Sequence, residues 1–250
     1  MSEQNLENNY SNLRIKKTYS YTASKYYGFT FLIFAIASAI LVLGVYLFTY
    51  FNVANRIVMA SDISVLSIIF FVPLILLFIF SFFRHKMPPK VFIPISIFLM
   101  LVISFWISTI VSLLIIYTSI DLNNIILIFF IPVAFMLLAG VTAWIPGLKI
   151  SKAYNLLLIG TIAVFVTLIV GYFVTSNWVN TAILTLMTIV YFLMSVIEMY
   201  VLKKRAKYVS QIGGRMPLGE LLLISFDSAF NLFYIYAMLV YYAALLFGKR

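Results

Sequence analysis

Apolar residues fall along this chain in seven long blocks, at roughly 28–51, 62–83, 91–117, 123–145, 153–175, 179–202 and 217–248, separated by short polar connections. Each block reaches the roughly 20 residues that a helix needs to cross a bilayer. The runs are continuous and lack the ten-residue alternation of a membrane β-barrel. The pattern therefore predicts an all-α integral membrane protein of seven transmembrane helices. Two segments follow: a polar, Asn/Ser/Tyr-rich tail over 1–27, read as flexible and cytoplasmic, and a seven-helix domain over 28–250. Pro73 and Pro132 lie inside the second and fourth blocks, where they are expected to kink the helices. In the fifth block Gly160, Ala163, Thr167 and Gly171 follow at steps of three, four and four. Such a stripe of small residues lets a neighbouring helix approach closely.

The last block departs from the others because it is not uniformly apolar. Glu220, Asp227, Asn231, Tyr234 and Tyr241 follow at steps of seven, four, three and seven, which places them on one helix face. A carboxylate turned to lipid costs several kcal/mol, so this face is expected to look into the bundle. The sixth block has a matching face of Thr181, Thr188, Tyr191, Ser195 and Glu198. Two consecutive helices with polar, acid-bearing faces suggest that the faces meet.

Composition sharpens the class. Of the 250 residues, 64% are hydrophobic and only 10% charged, outside the range of a soluble domain. The net charge of +10 would suit nucleic acid, but the basic residues cluster between the blocks and so read as topology signals and anionic-lipid contacts. With the N-terminus placed inside, 14 of the 17 basic residues fall on that side, leaving Arg56, Lys249 and Arg250 outside. This bias predicts a cytoplasmic N-terminus and an external C-terminus in a cell membrane. With no cysteine and one histidine, His85, the chain lacks the residues for disulfides, thiol nucleophiles and the usual zinc sites. Serine hydrolases and zinc peptidases within the membrane also need histidine, and the Gly-x-Gly-Asp signature of the aspartyl type is absent. No enzyme is expected, and no bound cofactor.

Seven acids remain to be placed. Glu3 and Glu7 belong to the tail, Asp62 and Asp121 to outer span ends, and Glu220 to the inner interface. Asp227, about 15 Å inside Pro217 at the helical rise per residue, is the deepest charge. Glu198 is shallower, and Arg84 ends the second block at a similar depth.

Several stretches together resemble the Bax inhibitor family, the transmembrane Bax-inhibitor-motif family. They are SKYYGFTFLIFAIASAI at the first helix, FFRHK at the basic end of the second, and GVTAWIPGLKISKAYNLLLIGTIAVFVTLIVGYF across the fourth and fifth. SVIEMYVLKKR ends the sixth, and SFDSAFNLFYIY resembles the family's final Leu-Tyr-Leu-Asp-Phe-Ile-Asn-Leu-Phe signature. The chain departs from the pattern in having Glu198 where Asp is usual, Ala153 near another usual Asp, and four residues rather than three from Asp227 to Asn231.

The resemblance implies a seven-helix bundle whose last helix is central, wrapped by the other six, and a prokaryotic-type, pH-sensitive calcium leak. It implies an ion pathway through Glu198, Asp227 and Asn231, with Asp227 and Glu198 as the calcium-facing acids and calcium as the transported ion. It also implies a gating latch between Arg84 and Glu198. The residues alone leave two other readings open: a proton-coupled transporter using the same acids, and a non-conducting scaffold that binds partners through its basic loops.

Overall fold

The computed structural model describes residues 3–60, 63–118, 120, 122–145, 150–173, 177–212 and 216–247, with side chains over 23–59, 71–84, 86–118, 120, 124–145, 153–164, 166–167, 178, 181–212 and 216–247. Asp62, Asp121, Lys149 and Arg215, and the side chain of His85, lie outside the described residues, as do the surroundings of Gly171. Among the described residues eight α-helices follow one another: α1 (Glu3–Tyr50), α2 (Val53–Ala60), α3 (Ile63–Phe83), α4 (Pro89–Thr118), α5 (Leu122–Trp144), α6 (Ile150–Phe173), α7 (Asn177–Ile212) and α8 (Leu218–Phe247). A short 3-10 turn at Arg84–Lys86 closes α3.

Helix is the form that satisfies every backbone N–H and C=O inside an apolar run, and these runs are long enough to stay helical throughout. Hydroxyls within them turn back onto the preceding turn, as Thr188 Oγ1 does to the Leu184 carbonyl at 2.8 Å, so they cost little in an apolar setting. Asn52, at φ 53°, takes the left-handed conformation that ends α1 before the eight-residue α2.

The protein is an all-α, multi-pass membrane protein. Five stretches among the described residues are long and apolar enough to cross a bilayer: Ala23–Tyr50, Pro89–Thr118, Asn124–Trp144, Thr181–Ile212 and Leu218–Phe247. The two remaining expected spans correspond to α3 and α6, helices of 21 and 24 residues whose described apolar stretches, Phe71–Phe83 and Ala153–Val164, are shorter. The backbone of α1 is helical from Glu3, so the polar segment read as a flexible tail continues directly into the first span.

Helix α8 packs against α1, α4, α5 and α7, while α3 lies on α4 and α6 on α7. In both α4 and α8, 61% of the most apolar window is buried, against 17–28% in the other three spans. The third span is thus as much a core element as the last. Leu232 and Phe233 of α8 and Ile103 and Ile107 of α4 are fully buried and belong to the same cluster. Where α1 crosses α4, Gly44 makes the close approach possible. A Cβ there would stand 2.5 Å from Ser108 Oγ, which itself donates to the Leu41 carbonyl at 3.2 Å. Of the small-residue stripe of α6, Gly160 meets a neighbouring helix closely, α7, where an added Cβ would stand 3.1 Å from Val190.

Candidate functional site: a charge network between the last two helices

Helix α7 runs ten residues beyond the apolar block that predicted it, to Ile212, and so carries Arg205 on the same continuous helix as Glu198. Seven residues separate the two, which is two turns, so they share a face. Helices α7 and α8 are antiparallel neighbours, and the acid-bearing faces expected to meet do so: Asn231 Nδ2 donates to Glu198 Oε1 at 3.2 Å, and the hydroxyls of Tyr191 and Tyr234 stand 3.4 Å apart. Glu220, in the first turn of α8, is exposed and takes no part.

Asp227 is the centre of the network. Its Oδ2 lies 2.6 Å from Arg205 Nη2, a short, charge-assisted contact, and its Oδ1 lies 3.8 Å from Arg84 Nη1. The same guanidinium nitrogen of Arg84 donates to Asn231 Oδ1 at 2.8 Å. Arg205 Nη1 donates to Ser228 Oγ at 2.7 Å, and Ser228 is also 2.8 Å from the hydroxyl of Tyr26. Tyr26 is fully buried, so the network reaches from the end of α3 through α8 and α7 to the start of the first span. Two carboxylates and two guanidiniums balance formally, the arrangement under which charges are tolerated within a bundle. Lys203, two residues before Arg205, sits 5.1 Å over the ring of Trp144 and ties the same end of α7 to α5.

The predicted residues therefore come together, but with different pairings. The direct Arg84–Glu198 latch is replaced by a relay in which Asn231 bridges them, accepting from Arg84 and donating to Glu198. Among the described residues, Asp227 is the acid in both ion pairs and Glu198 is in neither. The physical reason is reach. Arg84, at the end of α3, meets α8 first, and Glu198 lies across the Asn231 amide on the far helix. The two acids expected to face calcium are engaged by donors in this conformation. No group of three or more His, Cys, Asp or Glu side chains that would hold a metal occurs among the described residues.

A cavity of about 520 Å³ adjoins the network. Arg84, Glu198, Asn231 and Tyr234 supply its polar wall, and Leu74, Phe78, Leu157 and Ile235 its apolar one. A second cavity of about 470 Å³ lies between α5, α7 and α8, lined by Pro132, Phe135, Thr181, Thr188, Leu239 and Phe247.

Arg205, Ser228 and Tyr26 are the residues that sequence reasoning left out. Arg205 stands in the run KKRAK and reads there as one of several topology-setting cations; its register with Glu198 is the signal that separates it from its neighbours. Ser228 beside Asp227 and Tyr26 in SKYYG carry no comparable mark. What the fold and site define is a multi-pass helical membrane protein with a compensated charge network at one end of its last two helices. No family model and no curated protein matches the chain.

Proposed function

We propose that the protein is a pH-sensitive cation leak, with calcium as the transported ion, whose pathway follows the α7–α8 interface past Asp227, Asn231 and Glu198. The observation that carries this reading is the Asp227 carboxylate held between two arginines beside a cavity. An acid so deep in a membrane bundle is costly, and its being covered by movable cations gives it two states. With the guanidiniums in place the positive charges lie across the route and a cation is repelled. With them withdrawn, Asp227 and Glu198 offer carboxylate oxygens of the kind that hard divalent cations take. Two acids form a sparse site, and conduction requires weak holding.

In this reading seven helices span the bilayer with α8 central, the N-terminus and the arginine end of the bundle are cytoplasmic, and the C-terminus is outside, in a prokaryotic cell membrane. The basic-residue bias and the resemblance to the Bax inhibitor family support it. The pH sensitivity in this reading is what the resemblance to the Bax inhibitor family implies. A proton-coupled transporter would use the same acids. Calcium flux through purified protein in dye-loaded liposomes, with and without an opposing proton gradient, separates the two. A leak runs without the gradient, and a coupled carrier stops.

A further inference from the structure

Both cavities have walls on α7 and α8, the first completed by α3 and α6 and the second by α5, and an aromatic cluster lies on α7 between their limits. On α7 the first cavity ends at Met194 and the second begins at Thr188; on α8 the corresponding limits are Ile235 and Leu239. At the helical rise these gaps are about 9 Å and about 6 Å, roughly one layer of side chains. Tyr191 occupies that layer, three residues from both Met194 and Thr188. Its ring is 6.3 Å from that of Tyr234 and 5.4 Å from that of Tyr242, which in turn is 5.0 Å from Tyr241. The hydroxyls of Tyr191 and Tyr234 are 3.4 Å apart, and Tyr234 itself lines the first cavity, so the cluster begins at that cavity's wall. One turn further along α7, Ser195 Oγ is fully buried with no hydrogen-bond partner among the described residues, a polar atom between the tyrosines and Glu198.

We infer that the Tyr191–Tyr234–Tyr242 cluster is the septum between an inner and an outer vestibule, and is the barrier that a permeating cation must cross. Its chemistry suits a cation and not an anion. The ring faces carry partial negative charge, and the hydroxyl oxygens can take the place of water on one side of an ion. The septum is distinct from the arginine network. The network sets whether the acids are free, whereas the rings set whether the two cavities communicate. The identity of what passes rests on the cation-leak reading; the existence of the barrier does not.

Because the chain has no cysteine, introduced cysteines report cleanly. Met194→Cys marks the inner cavity and Thr188→Cys, in the parent or septum-variant background, the outer one. Protein is reconstituted in liposomes, and a small cationic methanethiosulfonate is applied from one face at a time. Met194→Cys should react only from the Arg84 face and Thr188→Cys only from the opposite face. Adding Tyr191→Ala should let each react from both faces, at least tenfold faster from the previously closed side. Tyr191→Phe, which keeps the ring, should preserve sidedness. Tyr234→Ala opens the same layer from α8 and serves where Tyr191→Ala does not fold.

Equal labelling of Thr188→Cys from both faces in the parent overturns the septum, as does failure of either cysteine to react from its own side. Unchanged sidedness in a folded Tyr191→Ala or Tyr234→Ala protein overturns it as well. Labelling requires no ion flux, so the two readings fail separately. A chain that switches sidedness but never leaks calcium keeps the septum and loses the leak. One that leaks with sidedness unaltered by either alanine keeps the leak and loses the septum.

Discussion

Removing Arg205 tests the network at its tightest contact. In Arg205→Ala, Asp227 loses a 2.6 Å ion-pair partner, and Ser228 loses the donor at 2.7 Å. The side chains of Arg205 and Asp227 are 28% and 16% exposed, so the pair is neither at the surface nor sealed. Exposed pairs contribute about 0–1 kcal/mol, and breaking a buried one costs about 3–5 kcal/mol. An intermediate value of about 2 kcal/mol fits a contact this short with Arg84 still 3.8 Å away. If the pair belongs to the closed form alone, its loss shifts the closed–open balance by up to about thirtyfold. Purified protein in calcium-dye-loaded liposomes reads this as initial leak rate. The expected result at neutral pH is a rise of roughly tenfold or more, with Arg205→Lys intermediate because it keeps the charge without the planar fork. In the background of Asp227→Asn the same substitution should have little further effect, since the two residues act as one unit. A folded Arg205→Ala protein that leaks at the parent rate at every pH would refute both the latch and the use of Asp227 as its acid.

Four further outcomes are expected. Asp227→Asn keeps shape and hydrogen-bonding capacity but removes the anion, so calcium flux should fall at least tenfold with the fold intact, measured by the same assay beside circular dichroism. Arg84→Ala should raise the leak several-fold at neutral pH, because the guanidinium that lies 3.8 Å from Asp227 and donates to Asn231 at 2.8 Å then no longer stands across the route; a parent-like leak rate would return Arg84 to a topology signal. Gly44→Ala places a Cβ 2.5 Å from Ser108 Oγ, and the crowding at the α1–α4 crossing should cost about 1–3 kcal/mol, seen as a lowered unfolding temperature in detergent. Single cysteines at Met87 and Asn177 should be modified from opposite faces of the membrane, the first from inside; modification of both from one face contradicts the seven-span topology.

Fold class was legible because bilayer spans announce themselves one block at a time, by length and apolarity, without any knowledge of what packs on what. The meeting of the α7 and α8 faces was legible too, since carboxylates at Glu198 and Asp227 cannot be left in lipid and two helical periodicities pointed them inward. What could not be read was partner choice. Arg84, Lys203, Lys204, Arg205 and Lys207 are alike as topology signals, and which of them turns back toward an acid depends on how far a helix continues past its apolar block. The continuation of α7 to Ile212 is not written in hydropathy, because KKRAKYVSQI is as good an exposed helix as it is a loop. Once it is helical, register does the rest: Arg205 falls two turns from Glu198 on the same face, while Lys204 and Lys207 are turned outward and exposed. The expected Arg84–Glu198 pair failed for a related reason. Depth along two helices was matched, but lateral order was unknown, and α8 with its Asn231 amide stands between them. An amide that accepts from a cation on one side and donates to an acid on the other transmits a change at either end. The four-residue step from Asp227 to Asn231 puts the amide one turn above the carboxylate, within reach of the same guanidinium. That spacing lets Arg84 serve both groups at once, and a change of one residue in register would uncouple them.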